Sequence, residues 1–309
     1  MKLFLIRHGE TVDNVAQVYA GVKDSALTMH GSLQATRLGQ HLAKAGLRFT
    51  RIFSSDLQRA YKTAEAIHLA QIELGVTSAD RTLTVTQVPL LREQDFGFYE
   101  GKPILTRSRG TNKTGKDDRR EQRQDDPEFK NVESKESMAL RINTFLDENL
   151  LPALQTETEA FEEIIAIVAH GIILSVLWRC FLKRFAAQTV SLAPGLAVGG
   201  GGITPLEYLG GWSNTGYMEL DIRPRDVPMN SHTPTPISND NSESVDKSLK
   251  SEQSGSTVSV MLGQYMVIKT VNGKEHLKGL KRTGGGVGSS KFDSGQKSIE
   301  SFFKKRKVG

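Results

Sequence analysis

Three short apolar runs are followed by side chains that could do chemistry. The runs are residues 2–6, 49–53 and 164–169. The side chains that follow their ends are Arg7, His8, Arg59 and His170. In an open parallel sheet, ligands bind in a crevice at the carboxyl ends of the strands. If the three runs are neighbouring strands, we expect the four side chains to meet in one pocket.

These residue types suit a phosphoryl group. The planar fork of an arginine matches phosphate oxygens with two hydrogen bonds, and helix N-termini add backbone donors for anions. A neutral imidazole can attack phosphorus and form a phosphohistidine, while cations offset the charge on the transferred oxygens. We interpret the set as a candidate site of phosphoryl transfer that needs no metal or other cofactor.

The apolar pattern around these residues predicts an α/β fold. Residues 164–169 (IIAIVA) are continuously apolar, as expected for a central strand buried on both faces. A helix that follows the first strand has Leu33, Leu38 and Leu42 on one face. Residues 54–56 (SSD) have the composition of a helix N-cap for the next helix. Strands that alternate with helices favour a three-layer, doubly wound, mostly parallel sheet.

Composition favours a soluble intracellular protein. The single cysteine, Cys180, has no partner in the chain for a disulfide. The longest apolar stretch, residues 164–178, is shorter than the roughly 20 residues of a membrane span, so we expect no membrane association. Of the net charge of +5, +4 comes from residues 283–309. The basic character therefore lies at the C-terminal end of the chain and not in a basic nucleic-acid-binding domain.

We expect four parts along the chain. They are a catalytic domain over residues 1–222 with a charged insertion at 106–135, a disordered linker at 223–256, a returning edge strand of the same domain within 257–282, and a flexible tail at 283–309. A glycine run at residues 199–202 is interpreted as a mobile loop over the pocket. Residues 213–220 (SNTGYMEL) are interpreted as a structural strand.

Four motifs occur in a fixed order: LIRHGETVDN, FSSDLQRAYKTA, LREQDFGFYEG and VAHG. Together they closely resemble the histidine phosphatase superfamily, also called phosphoglycerate-mutase-like, over about residues 1–222 outside the charged insertion. The resemblance implies that His8 is the nucleophile and that Glu93 is the proton donor. It implies that Arg7, Arg59 and a protonated His170 hold the phosphoryl group. Further pocket residues implied by the resemblance are Thr11, Asn14 and Gly21.

The resemblance implies hydrolysis of a phosphorylated small molecule. Residues 91–103 (LREQDFGFYEGKP) look more like the phosphatase branch than the mutases, which typically have an ERHYG-like segment there. Residues 24–28 (DSALT) depart from the family, whose members often have proline before Leu-Thr. A phosphoglycerate-type mutase stays open as one alternative, and a non-catalytic adaptor that binds phosphorylated ligands stays open as a second.

The C-terminal tail has a second pattern. Its spacing Q-x-x-[ILM]-x-x-[FY]-[FY] resembles the peptide motif bound by the DNA sliding clamp, proliferating cell nuclear antigen. The motif residues are Gln296, Ile299, Phe302 and Phe303. The basic run that follows resembles a nuclear import signal and consists of Lys304, Lys305, Arg306 and Lys307. We expect the sliding clamp and an import receptor as partners, and the nucleus as the location, with the cytoplasm as a second one.

Overall fold

The structure is a computed structural model, which describes most of the catalytic domain. The described residues are 1–75, 83–104, 130–155, 162–196, 205–224, 261, 263–283 and 286–292. Five predicted features lie wholly or mostly outside them. These are the insertion at 106–135, the glycine run at 199–202, the linker at 223–256 and the two motifs between residues 296 and 307.

Seven strands of the described residues form one mixed sheet. They are β1 (Lys2–Arg7), β2 (Arg51–Ser54), β3 (Val85–Gln87), β4 (Ile164–Ala169), β5 (Val190–Leu192), β6 (Tyr217–Pro224) and β7 (Gln264–Gly273). Their order is β3-β2-β4-β1-β6-β7-β5. The pairs of β6 with β1 and β7 are antiparallel, and the other neighbours are parallel. The predicted mostly parallel α/β sheet is confirmed.

Helices cover both faces of the sheet. They are α1 (Val12–Ala16), α2 (Met29–Lys44), α3 (Gln58–Glu73), α4 (Lys135–Phe145), α5 (Leu151–Gln155) and α6 (Gly171–Leu182). A π-helical turn, Leu146–Leu150, joins α4 to α5. Helices α2 and α3 pack on one face, and α4, α5 and α6 pack on the other. Among the described residues, no helix combines the length and the apolar character that crossing a bilayer requires.

The central strands β1 and β4 are buried on both faces, as their composition predicts. Leu3 and Leu5 of β1 pack toward α4 and α6, whereas Phe4 and Ile6 pack toward α2 and α3. All six residues of β4 are buried. A strand between two helical layers has no polar face, because successive side chains point to opposite sides and both sides are apolar.

The helices α2 and α3 differ in detail from the sequence predictions. Leu38 and Leu42 are buried as expected, but Leu33 is 43% exposed. The predicted side-chain cap at residues 54–56 is wrong, because α3 begins one residue later and its N-cap is Leu57. The first backbone N–H of α3, that of Gln58, donates instead to Asp24 Oδ1 at 2.9 Å. A carboxylate from a distant loop therefore replaces a local cap.

The predicted edge strand within residues 257–282 is not at the edge. Strand β7 joins the same sheet, but it lies between β6 and β5. The short strand β5 pairs in parallel with β7 from Val190 to Leu192 and covers its outer side. Strand β5 is too short to show a clear strand pattern in the sequence. Its position outside β7 was therefore not predicted.

We expect Ile167→Ala to lower the free energy of unfolding by about 2–5 kcal/mol, because Ile167 is fully buried in β4 and its removal leaves a cavity. Leu140→Ala is the matched control, since Leu140 is 72% exposed and its loss should change stability by about 0.5 kcal/mol or less. Urea denaturation followed by circular dichroism measures both. Equal losses in the two variants would contradict the assignment of β4 to the core.

Candidate active site

The sheet brings the three predicted strand ends together. Arg7 at the end of β1 lies opposite Ala169 at the end of β4, and β2 pairs with the other side of β4. The backbone N–H of His8 donates to the carbonyl of Ala169 at 3.0 Å. The rings of His8 and His170 have their centroids 5.0 Å apart. The predicted neighbourhood of the three strands is confirmed, and their ends bring the four side chains close together.

The imidazole of His8 is held in one tautomer. Its Nδ1 lies 2.7 Å from the carbonyl oxygen of Gly9, which can only accept, so Nδ1 carries the proton. His8 is 4% exposed. Burial, and then the positive charges of Arg59 and Arg7, lower the pKa of His8 well below its ordinary value. The ring is therefore neutral, with the lone pair at Nε2.

His170 is also neutral, which corrects the prediction that it is protonated. Arg59 Nε donates to His170 Nδ1 at 3.1 Å, so Nδ1 holds a lone pair and Nε2 holds the proton. Burial lowers the pKa of His170 well below its ordinary value, and Arg59 lowers it further. The Nε2 atom is buried and has no hydrogen-bond partner among the described residues. It is a fixed, neutral donor.

Arg59 is part of the scaffold of the site rather than an open fork. It is 2% exposed. Its Nη2 donates to the carbonyls of Ala20 and Gly21 at 2.8 and 2.7 Å, and its Nη1 donates to that of Lys23 at 2.8 Å. Burial lowers its pKa to about 10. Since Nε donates to His170, four of its five N–H groups are used inside the protein, contrary to the predicted bidentate contact with phosphate.

Among the described residues, the side chain of Arg7 keeps a buried nitrogen without a hydrogen-bond partner. Its Nη1 donates to the carbonyl of Trp212 at 2.6 Å. Its Nε is buried and lacks a hydrogen-bond partner in the part of the chain that the structure describes. Burial lowers the pKa of Arg7, and the carboxylate of Glu93 opposes that effect. Arg7 Nε and His170 Nε2 are thus two buried donors that an anion could satisfy.

Glu93 caps the helix that follows His170. Its Oε2 accepts from the backbone of Ile172 at 3.0 Å, and its Oε1 accepts from Ile173 and Gln94 at 3.0 Å each. These bonds attach Glu93 to the start of α6, directly beside His170. They also correct the expectation that this helix offers its N-terminal donors to a bound anion, because Glu93 already occupies two of them.

The other predicted pocket residues shape the loops around His8. The Thr11 hydroxyl accepts from the backbone of Asn14, and Asn14 Oδ1 accepts from the backbone of Thr11, which closes a capping box on α1. Gly21 is in close contact with neighbouring groups, because a Cβ there would lie 2.1 Å from the carbonyl of Gln94. The structure brings these residues to the site, and their roles toward a ligand stay predictions.

Three site residues were missed in the sequence. Trp212 accepts from Arg7 through its carbonyl, Asn214 Nδ2 donates to the carbonyl of His8 at 3.2 Å, and Thr215 N donates to the carbonyls of Arg7 and His8. Residues 213–220 were interpreted as a structural strand, but their first part forms a turn against the backbone of Arg7 and His8. The residues Asn-Thr-Gly before a strand are typical of a turn and could have indicated this one.

A cavity of about 380 Å³ adjoins Glu93. Three cations line it, and each is paired: Arg92 with Asp56, Lys130 with Asp95, and Arg141 with Glu133. A larger groove of about 800 Å³ between α2 and α3 is lined by none of the predicted site residues. Among the described residues, Glu93 is the one predicted site residue that lines the smaller cavity.

Lowered histidine pKa values predict acid lability. His8, His170 and His276, whose pKa is lowered to about 4 mainly by burial, take up protons more readily when unfolded. Their contribution to stability is therefore full above pH 6.5 and falls as the pH drops below it. We expect the free energy of unfolding to lose up to about 1.4 kcal/mol per pH unit for each histidine between pH 6 and 5. In His170→Gln this slope should decrease, and an unchanged slope in urea denaturation would contradict the assignment.

The sequence of the chain was compared with known families and proteins. The family model of the histidine phosphatase superfamily (branch 1) matches residues 3–208. A broad-specificity phosphatase of Saccharomyces cerevisiae is 29% identical over 172 residues, which are 55% of this chain and 66% of the yeast protein. A 2,3-bisphosphoglycerate-dependent phosphoglycerate mutase of Bartonella bacilliformis is 38% identical over 99 residues, which are 32% of this chain and 45% of the mutase. The chain spans less than two thirds of the length of either relative.

The fold also resembles a solved structure. Mycobacterial hydrolase 1 superposes with a TM-score of 0.53 at 20% identity, over 88% of this chain and 99% of that one. At this identity the likeness concerns the fold alone. The family model, in contrast, matches well over half of the chain and includes the motifs around His8, Arg59, Glu93 and His170. The chain belongs to the histidine phosphatase superfamily, branch 1.

Proposed function

We propose that the protein hydrolyses phosphomonoesters through a phosphohistidine at His8. The observation that supports this most strongly is the fixed tautomer of His8. Its Nδ1 proton is held by the carbonyl of Gly9 at 2.7 Å, which leaves the lone pair at Nε2. The lowered pKa of His8 keeps that lone pair unprotonated at neutral pH, so the nucleophile needs no separate base.

The phosphoryl group is held by donors that the protein leaves unsatisfied. Among the described residues, Arg7 Nε and His170 Nε2 are buried without partners. Bonds to phosphoryl oxygens would satisfy both, and Arg7 adds a positive charge. Arg59 acts indirectly, since its bond to His170 Nδ1 keeps the proton of His170 on the nitrogen without a partner.

The reaction proceeds in two steps. His8 Nε2 attacks phosphorus, the N–P bond forms, and the bond between phosphorus and the leaving oxygen breaks. Glu93, the proton donor that the family resemblance implies, gives a proton that it has taken up beforehand to that oxygen and is left as a carboxylate. The carboxylate then takes a proton from water, the water oxygen attacks phosphorus, and the N–P bond breaks to release phosphate and restore His8. Oε2 of Glu93 accepts a single backbone bond, from Ile172, and so retains a lone pair for this proton.

The charges around the cavity beside Glu93 support a substrate with an uncharged leaving group. Each cation that lines it within the described residues is paired with a carboxylate. A second phosphate would have to break one of these pairs, whereas hydroxyl groups of a sugar or a polyol could bond to them. This favours a small phosphomonoester over a bisphosphorylated substrate.

A mutase is the second candidate. The Bartonella relative, 38% identical over 99 residues, is a phosphoglycerate mutase. A mutase returns the phosphoryl group from the phosphohistidine to a second hydroxyl, so it converts one phosphoester into another without releasing phosphate. Phosphate release with water as the only acceptor favours the phosphatase, and isomerisation of phosphoglycerate without release favours the mutase.

We expect His8→Ala to reduce phosphate release from a generic phosphomonoester to background and to abolish the phosphoenzyme. Removing a nucleophile of this kind costs several orders of magnitude in rate. His68→Ala is the matched control, since His68 lies in α3 away from the pocket. Acid-quenched labelling with a radioactive phosphoester measures the intermediate. Ligand binding without any phosphoenzyme in the unmodified protein would indicate the adaptor alternative instead.

We further propose that the tail docks to the DNA sliding clamp and that the protein enters the nucleus. The motif residues lie outside the described residues, so the support is the sequence pattern alone. Positions i, i+3 and i+4 fall on one side of a helical turn, so a helical turn formed on binding would bring Ile299, Phe302 and Phe303 into one apolar surface. Aromatic anchors of this kind dominate small interfaces. The basic run 304–307 suits an import receptor, which recognises clustered positive charge.

We expect the full chain to bind purified proliferating cell nuclear antigen in a calorimeter. Phe302→Ala combined with Phe303→Ala should weaken this binding at least tenfold, because both anchors are lost. The same variant should keep its phosphatase activity. Absence of heat with the unmodified chain, at concentrations of tens of micromolar, would refute the clamp proposal. The import signal is tested separately by changing residues 304–307 to alanine, which should abolish nuclear accumulation.

A further inference from the structure

His276 is a buried histidine that the proposed mechanism does not use. It follows β7 and is 6% exposed. It lies outside residues 3–208, over which the family model matches. Its Nε2 lies 2.9 Å from the hydroxyl oxygen of Thr215. Its Nδ1 is buried and has no hydrogen-bond partner among the described residues.

The direction of the bond between His276 and Thr215 follows from the proton count. The hydroxyl of Thr215 lies 2.7 Å from the carbonyl of Asn214, which can only accept, so the one hydroxyl proton is used there. The oxygen of Thr215 must therefore accept from His276. His276 is the Nε2–H tautomer, and its donor end points at the turn formed by residues 213–216.

Thr215 is in a backbone conformation that a β-branched residue rarely adopts. Its φ is 55°, in the left-handed region. This conformation lets its backbone N–H donate to two carbonyls, that of Arg7 at 3.1 Å and that of His8 at 3.2 Å. Asn214 donates to the same carbonyl of His8 from its side chain. Such conformations persist only where surrounding contacts determine them.

We propose that His276 is a positioning residue for the nucleophile and that it acts through Thr215. Its donor fixes the hydroxyl of Thr215, which holds the turn in the left-handed conformation. The turn then fixes the backbone of Arg7 and His8 through four hydrogen bonds, since the backbone N–H of Arg7 also donates to the carbonyl of Gly216 at 3.1 Å. The inference deepens the proposed function, since it concerns the same site, and it assigns a role to a residue outside the four motifs.

A second contact supports the same arrangement. Asn272, near the end of β7, accepts from the backbone of Ser213 at 2.9 Å through Oδ1 and donates to its hydroxyl through Nδ2. The turn is thus held at its first residue by Asn272 and at its third by His276. Both anchors come from one segment, β7 and the residues that follow it. This segment therefore reaches the nucleophile by way of the turn, without touching the His8 ring.

The kinetic test compares two substitutions that differ in one donor. His276→Gln keeps an N–H near the position of Nε2, whereas His276→Met keeps the volume and removes the donor. We expect His276→Met to lower kcat by about 10–100-fold with KM changed by less than about twofold, since small displacements of a reacting group have effects of this size. His276→Gln should stay within about threefold of the unmodified protein. Equal losses in the two variants would overturn the proposal.

A double-mutant cycle tests the path through Thr215. If His276 acts through that hydroxyl, His276→Met should add nothing to Thr215→Val, so the effects are not additive. Multiplied losses in the double variant would show that His276 acts by another route. Thr215→Ser keeps the hydroxyl and serves as the control. If His276→Met fails to fold, the comparison of Thr215→Val with Thr215→Ser still tests the role of this hydroxyl.

A measurement that needs no catalytic turnover tests the positioning role of His276 separately from the proposed activity. Amide hydrogen exchange at Thr215, followed by NMR, should be at least tenfold faster in His276→Met than in His276→Gln. The amide of Ile167 in the central strand should exchange equally in both and reports global stability. If no phosphomonoester is hydrolysed by the unmodified protein, the proposed function fails, while the exchange result still decides the positioning role. Equal exchange at Thr215 in the two variants would refute it.

Discussion

The buried guanidinium of Arg59 is the interaction on which the rest of the site depends. It is almost without solvent contact, yet it carries a positive charge at the centre of the pocket. A buried charge is tolerated only where its hydrogen bonds are satisfied. Arg59 meets this condition by donating to His170 and to three carbonyls of the loop at residues 20–23. The same bonds order that loop and set the tautomer of His170.

This arrangement explains why both histidines are neutral. Two arginines and two imidazoles share a small volume from which water is excluded, and a further positive charge there is unfavourable. Neutrality gives His8 a nucleophilic lone pair and makes His170 a donor with a fixed direction. Positive charge is left to the two arginines, and the Nε of Arg7 has no partner in the described residues. The neutral histidines and charged arginines follow from burial, because the opposite assignment would require two buried imidazolium ions.

Much of the framework was predictable because it depends on local pattern. A run such as IIAIVA has no polar face, which favours a central strand, and parallel strands end at one edge of the sheet. The predictions failed where a distant residue decided the outcome. Asp24 caps α3 in place of the predicted serines, Glu93 takes the donors of α6, and the three-residue strand β5 covers β7. Each of these contacts joins segments far apart in the chain, for which periodicity carries no signal.

The sequence by itself determined the family, the strands and the set of residues at their ends, since these depend on residue type and short spacing. Only the tertiary structure decided what those residues can do. The protonation states of His8 and His170 depend on burial and on neighbouring charges, and the contribution of the turn at residues 213–216 depends on the return of β7 to the sheet. Solvent exclusion and contacts between remote segments exist only once the chain is folded, and they govern both the position of the protons and the geometry around His8.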